Sequence, residues 1–254
     1  FEVLGAGQIT ASGVFTAADT VAHSVVRVKA RVGQVVGQAR IRVVPPLPWR
    51  FDFDEIVIPA GGQQAQPPET WIGARHRHVV RNVDSNQVMV KITTLPKGTR
   101  SRCWMGHHGL SDYTIQADVL GAEVNAKMPD IGLIAQGYAL DLQGANQELQ
   151  IRSWVPQLRM AQTLSFPWQP NIWYRMKLQA SNVGEKAVLR GKVWPRDEVE
   201  PEAWTIEAED AMPVRNGSPG LFGNAKDAEL MYDNIVVAPN TAAANTAPAG
   251  ATDR

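Results

Sequence analysis

The chain has almost none of the features that mark several common classes of protein. It contains one cysteine in 254 residues, so no internal disulfide can form and no cage of several thiolates can hold a metal. No apolar run approaches the roughly 18 residues needed to cross a bilayer. Lys and Arg together number 25, and so do Asp and Glu, so no overall cationic field attracts a phosphate backbone or an anionic membrane. We therefore expect no nucleic-acid partner and no insertion into a membrane.

The first ten residues, FEVLGAGQIT, also lack the basic segment and apolar stretch of a signal peptide. Because Phe1 already stands in a strand-like pattern, we expect the chain to be attached to further domains of a longer protein. The scarcity of cysteine fits the cytosol and equally fits an exported bacterial protein that never used disulfides.

Short stretches of alternating polar and apolar residues extend along almost the whole chain. They include QVMVKITTL (87–95), YTIQADVLG (113–121), ELQIRSW (148–154), KAVLRGKVW (186–194) and AELMYDNIVV (228–237). This two-residue period is typical of β-strands, and no amphipathic helical pattern exceeds two turns. PPLP at 45–48 predicts a stiff connector. The sequence thus predicts an all-β protein with a small domain at 1–46, a two-sheet sandwich at 47–239 and a disordered tail at 240–254.

The first block resembles the second half of a bacterial immunoglobulin-like domain. GQITASGVFTA (7–17), followed by two valine-rich strands, carries the resemblance. The alternative is a β-hairpin that belongs to the edge of the larger domain. If the resemblance holds, this block positions the domain that follows it.

The second block resembles the concanavalin A-like (laminin G-like) jelly roll, in the branch related to 3-keto-disaccharide hydrolases. The resemblance rests on four motifs in the order of that family: WYRMKL (173–178), GKVWP (191–195), GLFG (220–223) and YDNIVV (232–237). In secreted bacterial proteins such an Ig-like and jelly-roll pair resembles the region after a PQQ-type β-propeller. The resemblance implies a secreted, periplasmic or cell-surface location and a sheet that binds carbohydrate.

One strand carries the side chains expected of a sugar site. In ELQIRSW, Gln150, Arg152 and Trp154 share a face, so that the indole could stack on a pyranose and the polar groups could bond its hydroxyls. The remaining carbohydrate-binding candidates are Gln136, Tyr138, Trp168, Arg75 and His76. The alternative is that all of these are ordinary solvent-facing residues of an antiparallel sheet.

Metal sites have weaker support in the sequence. His76 and His78 share one side of a predicted strand, but no nearby Glu completes a metal-binding pattern. Asp233 falls at an apolar position of its strand, so its carboxylate needs a partner. The resemblance implies a structural calcium held by Asp233 with Asp52 or Asp54, although a bulge would be needed to bring them together. A hydrogen bond to the backbone or to an arginine is the alternative.

SRCWMGHHGL (101–110) combines the lone thiol with two histidines, yet it predicts a connector with buried Cys103 and Trp104. Adjacent residues of an extended chain point in opposite directions, so His107 and His108 could not both ligate one ion. No acid stands nearby to orient either histidine as a base.

Taken together, these patterns predict a non-catalytic module of a larger secreted protein that binds an oligosaccharide or polysaccharide. No complete catalytic set can be assigned, and the Glu-x-Asp-x-x-Glu motif of glucanases is absent from the sequence. The alternatives are an enzyme that hydrolyses or cleaves (3-keto-)disaccharides, and a purely structural spacer.

Overall fold

The computed structural model describes residues 1–19, 22–93, 99–153 and 158–241, which form nineteen β-strands and no α-helix. In chain order the strands are β1 (Glu2–Leu4), β2 (Gly7–Ile9), β3 (Phe15–Ala17), β4 (Ser24–Val32), β5 (Val35–Val43), β6 (Trp49–Phe51), β7 (His78–Val83), β8 (Asn86–Lys91), β9 (Arg100–Trp104), β10 (Tyr113–Gly121), β11 (Asp130–Ala135), β12 (Tyr138–Gln143), β13 (Glu148–Ser153), β14 (Ala161–Ser165), β15 (Tyr174–Val183), β16 (Lys186–Pro195), β17 (Ile206–Asp210), β18 (Gly220–Asn224) and β19 (Leu230–Pro239). None of the described segments is a helix that could cross a bilayer.

Two antiparallel sheets pack face to face. The eight-stranded sheet has the order β17-β16-β15-β10-β19-β8-β7, with the short β6 paired to β19, and the six-stranded sheet has the order β14-β13-β12-β11-β18-β9. The chain changes sheet between β8 and β9, β9 and β10, β10 and β11, β14 and β15, β17 and β18, and β18 and β19. This is a jelly-roll sandwich, and the predicted all-β fold class is confirmed.

The core lies between the two sheets and follows the two-residue period of the sequence. In β13, Leu149 and Ile151 are fully buried, whereas Gln150 and Arg152 face the opposite side. The Tyr232 hydroxyl, which lies in the core, is paired, because it donates to Phe222 O at 2.7 Å. Each sheet therefore keeps an outer face on which the sequence can place functional side chains.

The N-terminal segment forms a hairpin of β4 and β5, flanked by β1 and by the small β2–β3 sheet. An ion pair and a hydrogen bond hold it against the sandwich. Arg27 pairs with Glu69, and the Arg42 guanidinium donates to Thr70 O at 2.8 Å. The immunoglobulin-like origin of this segment stays a prediction, as does the boundary after residue 46. The tail beyond Thr241 lies outside the described residues.

Candidate functional site

A groove runs across the outer face of the six-stranded sheet. Cross-strand pairing sets Trp104 beside Gly220, and further along the same row sets Ala139 beside Arg152. Gly220, Ile134 and Ala139 form an apolar floor between the indole and the guanidinium. A Cβ atom added to Gly220 would lie 3.2 Å from Trp104 Cδ1, so the indole lies directly against this glycine.

The walls of this groove are formed by the loop between β9 and β10, the loop between β17 and β18, and the N-terminal hairpin. The two loops are joined by Ser218, whose hydroxyl donates to Gly106 O at 3.1 Å. Arg42 of β5 leans over the edge, where its guanidinium lies 3.5 Å from the same carbonyl oxygen. The enclosed volume is about 420 Å³, within the range of pockets that bind small molecules. The lining residues are Arg42, Ile72, Arg102, Trp104, Gly106, His107, His108, Ile134, Gly137, Tyr138, Ala139, Arg152, Val214, Asn216, Gly217, Ser218 and Phe222.

Beneath one end of the groove lies a buried ion pair. Arg152 donates to Asp141 Oδ2 at 2.5 Å, and its guanidinium carbon stands 5.4 Å from the centre of the Phe222 ring. Asp141 is 1% exposed, and its second oxygen has no hydrogen-bond partner among the described residues. Burial raises the pKa of Asp141 to about 7, outweighing the opposing effect of Arg152.

This raised pKa predicts a pH-dependent stability. Because folded Asp141 binds its proton more tightly than the unfolded chain does, its contribution is fully present below pH 3.8 and is lost as pH rises to about 7. Urea unfolding of the wild type and of Asp141→Asn across this range checks it, since the wild type should lose stability relative to the variant as pH rises. Parallel curves would contradict the raised pKa.

In the stretch SRCWMGHHGL, residues 101–104 belong to β9 and only the remaining residues form a loop, so the predicted connector is wrong for the first part and holds for the second. Cys103 points into the core with no exposure, and burial raises the pKa of its thiol to about 12. Trp104 points the other way and is only half buried, because alternate residues of β9 face opposite sides. His107 and His108 are both exposed on the rim. The stretch thus contributes to the candidate site through its tryptophan and not through its thiol.

The predicted sugar-binding strand is β13, which belongs to the sheet that carries the groove. Gln150 and Arg152 are on its outer face, and Arg152 lines the groove. Gln150 is one row away and donates to the Thr163 hydroxyl at 2.8 Å. Trp154 lies outside the described residues.

Three other carbohydrate-binding candidates are in the interior, contrary to the expectation. Gln136 is fully buried and donates to Val214 O at 2.9 Å. Tyr138 borders the groove but has no exposure, and its hydroxyl donates to Asp210 Oδ2 at 2.8 Å, because the turn before β12 sets its side chain inward. Trp168 is 4% exposed and packs edge-on against Tyr174.

Arg75 and His76 are exposed but stand apart from the groove lining. The chain turns at 74–77 before β7 begins at His78, so His76 and His78 do not share a strand face as predicted. His78 is buried, with Nδ1 3.3 Å from Ala74 O. Across the described ranges, no three His, Cys, Asp or Glu side chains form a group that could hold a metal.

A β-bulge decides the environment of Asp233. The register between β10 and β19 shifts by one residue at Asn234, whose φ is 49°, so Asp233 pairs with Asp118 on the outer face of the eight-stranded sheet. The expected inward orientation of Asp233 was therefore wrong. Asn86 donates to its Oδ2 at 2.8 Å, and burial raises its pKa, with Asp118 and Asp54 adding to the rise.

An arginine neutralises Asp118, the acid that lies opposite Asp233 on the neighbouring strand. Arg175 donates to both oxygens of the fully buried Asp118, at 2.6 and 3.0 Å. Asp54 is exposed near Asp233, whereas Asp52 lines a separate pocket with His23 and Arg50. Calcium held by Asp233 with Asp52 or Asp54 stays a prediction.

Sequence reasoning missed the groove residues Trp104, Arg102 and Arg42. Arg102 and Trp104 share a strand face in the same spacing as Arg152 and Trp154, so the signal was present in β9. Arg42 had no such signal, since only the packing of the hairpin brings it to the groove.

The two stacked antiparallel sheets, between which the chain crosses repeatedly, define a jelly roll. The chain matches no protein-family model and none of the curated proteins. Among solved structures it is similar to an uncharacterized protein from Mycobacterium paratuberculosis (14% identity, 74% of this chain and 99% of that one, TM-score 0.49). It is also similar to a carbohydrate-binding module from Bacillus subtilis (14% identity, 63% and 91%, TM-score 0.46) and to lectin II from Ulex europaeus (9% identity, 77% and 99%, TM-score 0.46).

Proposed function

We propose that the chain is a carbohydrate-binding module whose ligand lies in the groove of the six-stranded sheet. The observation that carries the proposal is the half-buried Trp104 indole, which stands beside an apolar floor with Arg102 and Arg152 on the same sheet face. An indole offers a flat apolar surface for the C–H face of a pyranose, and guanidinium groups donate to the ring hydroxyls. The groove provides both.

A binding role accounts for the lining better than hydrolysis does. Glycoside hydrolysis uses two carboxyl groups that flank the scissile bond. Among the described residues that line the groove there is no Asp or Glu, and Asp141 is bound to Arg152 beneath it. The proposal extends to the wider setting, in which this module is part of a larger secreted bacterial protein and the N-terminal hairpin positions the sandwich.

The proposal is tested by titrating the purified chain with a panel of neutral and acidic oligosaccharides in a calorimeter. We expect saturable binding of at least one oligosaccharide at a stoichiometry of one. If no member of the panel binds, the carbohydrate-binding role is contradicted and a spacer role gains support. Release of reducing sugar or of an unsaturated product during the titration would instead indicate an enzyme.

A further inference from the structure

One side chain of the N-terminal hairpin lines the groove. Of the described lining residues, Arg42 alone comes from β5, whereas the others follow the PPLP connector and belong to the sandwich. β5 is exposed over residues 35–40 and half-buried over 41–43, so Arg42 lies where the hairpin meets the sandwich. The groove is therefore formed by two segments that are separate in the sequence.

The sandwich holds the Arg42 guanidinium in place. Its Nη1 donates to Thr70 O at 2.8 Å, and its Nη2 lies 3.5 Å from Gly106 O. Both acceptors are backbone carbonyls, and Gly106 O also accepts from the Ser218 hydroxyl at 3.1 Å. A guanidinium carries N–H donors on all of its nitrogens, so these two contacts leave donors for a bound molecule.

A donor that is fixed in this way suits a sugar hydroxyl. Arg42 is half-buried, so its guanidinium has already given up part of its hydration, and the two carbonyl oxygens orient it before a ligand arrives. Both effects lower the cost of forming a hydrogen bond with a bound molecule. Trp104 lines the same groove, so a pyranose that stacks on the indole lies in the groove that Arg42 borders.

Separate contacts hold the hairpin against the sandwich. Arg27 pairs with Glu69, and Arg40 donates to Glu69 O. His23 packs edge-on against Trp49, with 4.6 Å between the ring centres. None of these five residues lines the groove, so the hairpin has docking contacts that do not depend on a ligand.

Resting on the proposed carbohydrate-binding function, we infer that Arg42 is a ligand-contacting residue that the N-terminal hairpin supplies to the groove, where its guanidinium donates to hydroxyl groups of a sugar stacked on Trp104. The planar fork of an arginine can donate to two neighbouring oxygen atoms at once, which a lysine ammonium does not match. The binding site is then complete only when the hairpin is docked, and the hairpin takes part in binding as well as positioning the sandwich.

Calorimetry on the intact chain tests this contact. The probes are cello-, xylo-, laminari- and galacturono-oligosaccharides, and the one that binds the wild type most tightly is titrated into each variant. Arg42→Ala should weaken binding about tenfold, and Arg42→Lys should recover only part of that loss because the fork is missing. Arg31→Ala, near the exposed tip of the same hairpin, should bind as the wild type does.

A second variant separates the contact from the docking of the hairpin. Glu69→Gln removes the carboxylate that pairs with Arg27 and leaves the groove lining unchanged. Because an exposed ion pair contributes little to stability, this variant should keep its affinity within about twofold of the wild type. If Glu69→Gln loses as much affinity as Arg42→Ala, then Arg42 acts only by holding the hairpin, and the inference is overturned.

The Arg42 side chain also gives a direct readout in the wild type. The arginine Nε–Hε resonance that is absent from the NMR spectrum of Arg42→Lys belongs to Arg42, and it should shift when the wild type is saturated with the oligosaccharide. An unmoved resonance, or equal affinity of Arg42→Ala and the wild type, would overturn the inference and leave the carbohydrate-binding role standing. No binding of any probe to the wild type would overturn both.

Discussion

Replacement of Trp104 by alanine is expected to weaken oligosaccharide binding about thirtyfold, or about 2 kcal/mol. The indole is half buried and lies against Gly220, so its removal takes away the main apolar surface on which a pyranose can stack. Trp104→Phe keeps an aromatic ring at this place and should recover part of the affinity. Calorimetric titration with the best ligand of the panel measures both variants.

A matched aromatic control separates this effect from a general loss of folding. Trp204 is also half buried, but its ring packs under Lys192 Nζ at 4.8 Å, on the side of the eight-stranded sheet. Trp204→Ala should bind the ligand as the wild type does. If the two alanine variants lose affinity equally, or if Trp104→Ala binds normally while remaining folded, the ligand does not lie in the groove.

Replacement of Arg175 by alanine is expected to cost about 3 kcal/mol of folding free energy. Asp118 has no exposure and depends on Arg175 for two charge-assisted hydrogen bonds, so the variant leaves a buried carboxylate without its cation. Urea unfolding monitored by tryptophan fluorescence measures the loss. The exposed pair of Lys186 and Glu209 in the same sheet gives the comparison, because Lys186→Ala should cost less than about 1 kcal/mol.

A second substitution shows whether the buried charge is the cause. In the background of Asp118→Asn no carboxylate remains to be paired, so Arg175→Ala should become much less destabilising. An unchanged cost in that background would mean that Arg175 stabilises the sheet through its packing alone.

The fold could be predicted from the sequence because strands such as β13 alternate buried and more exposed residues, and turn residues separate one strand from the next. The predicted segment KAVLRGKVW (186–194) lies within β16, and the first six residues of ELQIRSW form β13 (Glu148–Ser153). Antiparallel strands that bury one face alternate in this way, so the order of polar and apolar residues in a segment indicates that it is a strand.

The candidate site could be predicted only in part. The two-residue period of a strand shows which residues share a face, but not which sheet the strand joins or which of its faces is buried. Arg152 was placed on the correct face, but Tyr138 took the opposite phase at a turn, and the bulge at Asn234 reversed the orientation of Asp233. A single inserted residue changes the face of everything after it. The contribution of Arg42 depends on contacts between segments far apart in the chain, which no local pattern encodes.

A crystal structure of the chain with the best-binding oligosaccharide tests the central claim most directly. The account predicts a pyranose ring stacked on Trp104 in the groove of the six-stranded sheet. A sugar bound on the outer face of the eight-stranded sheet, or away from Trp104 altogether, would contradict it.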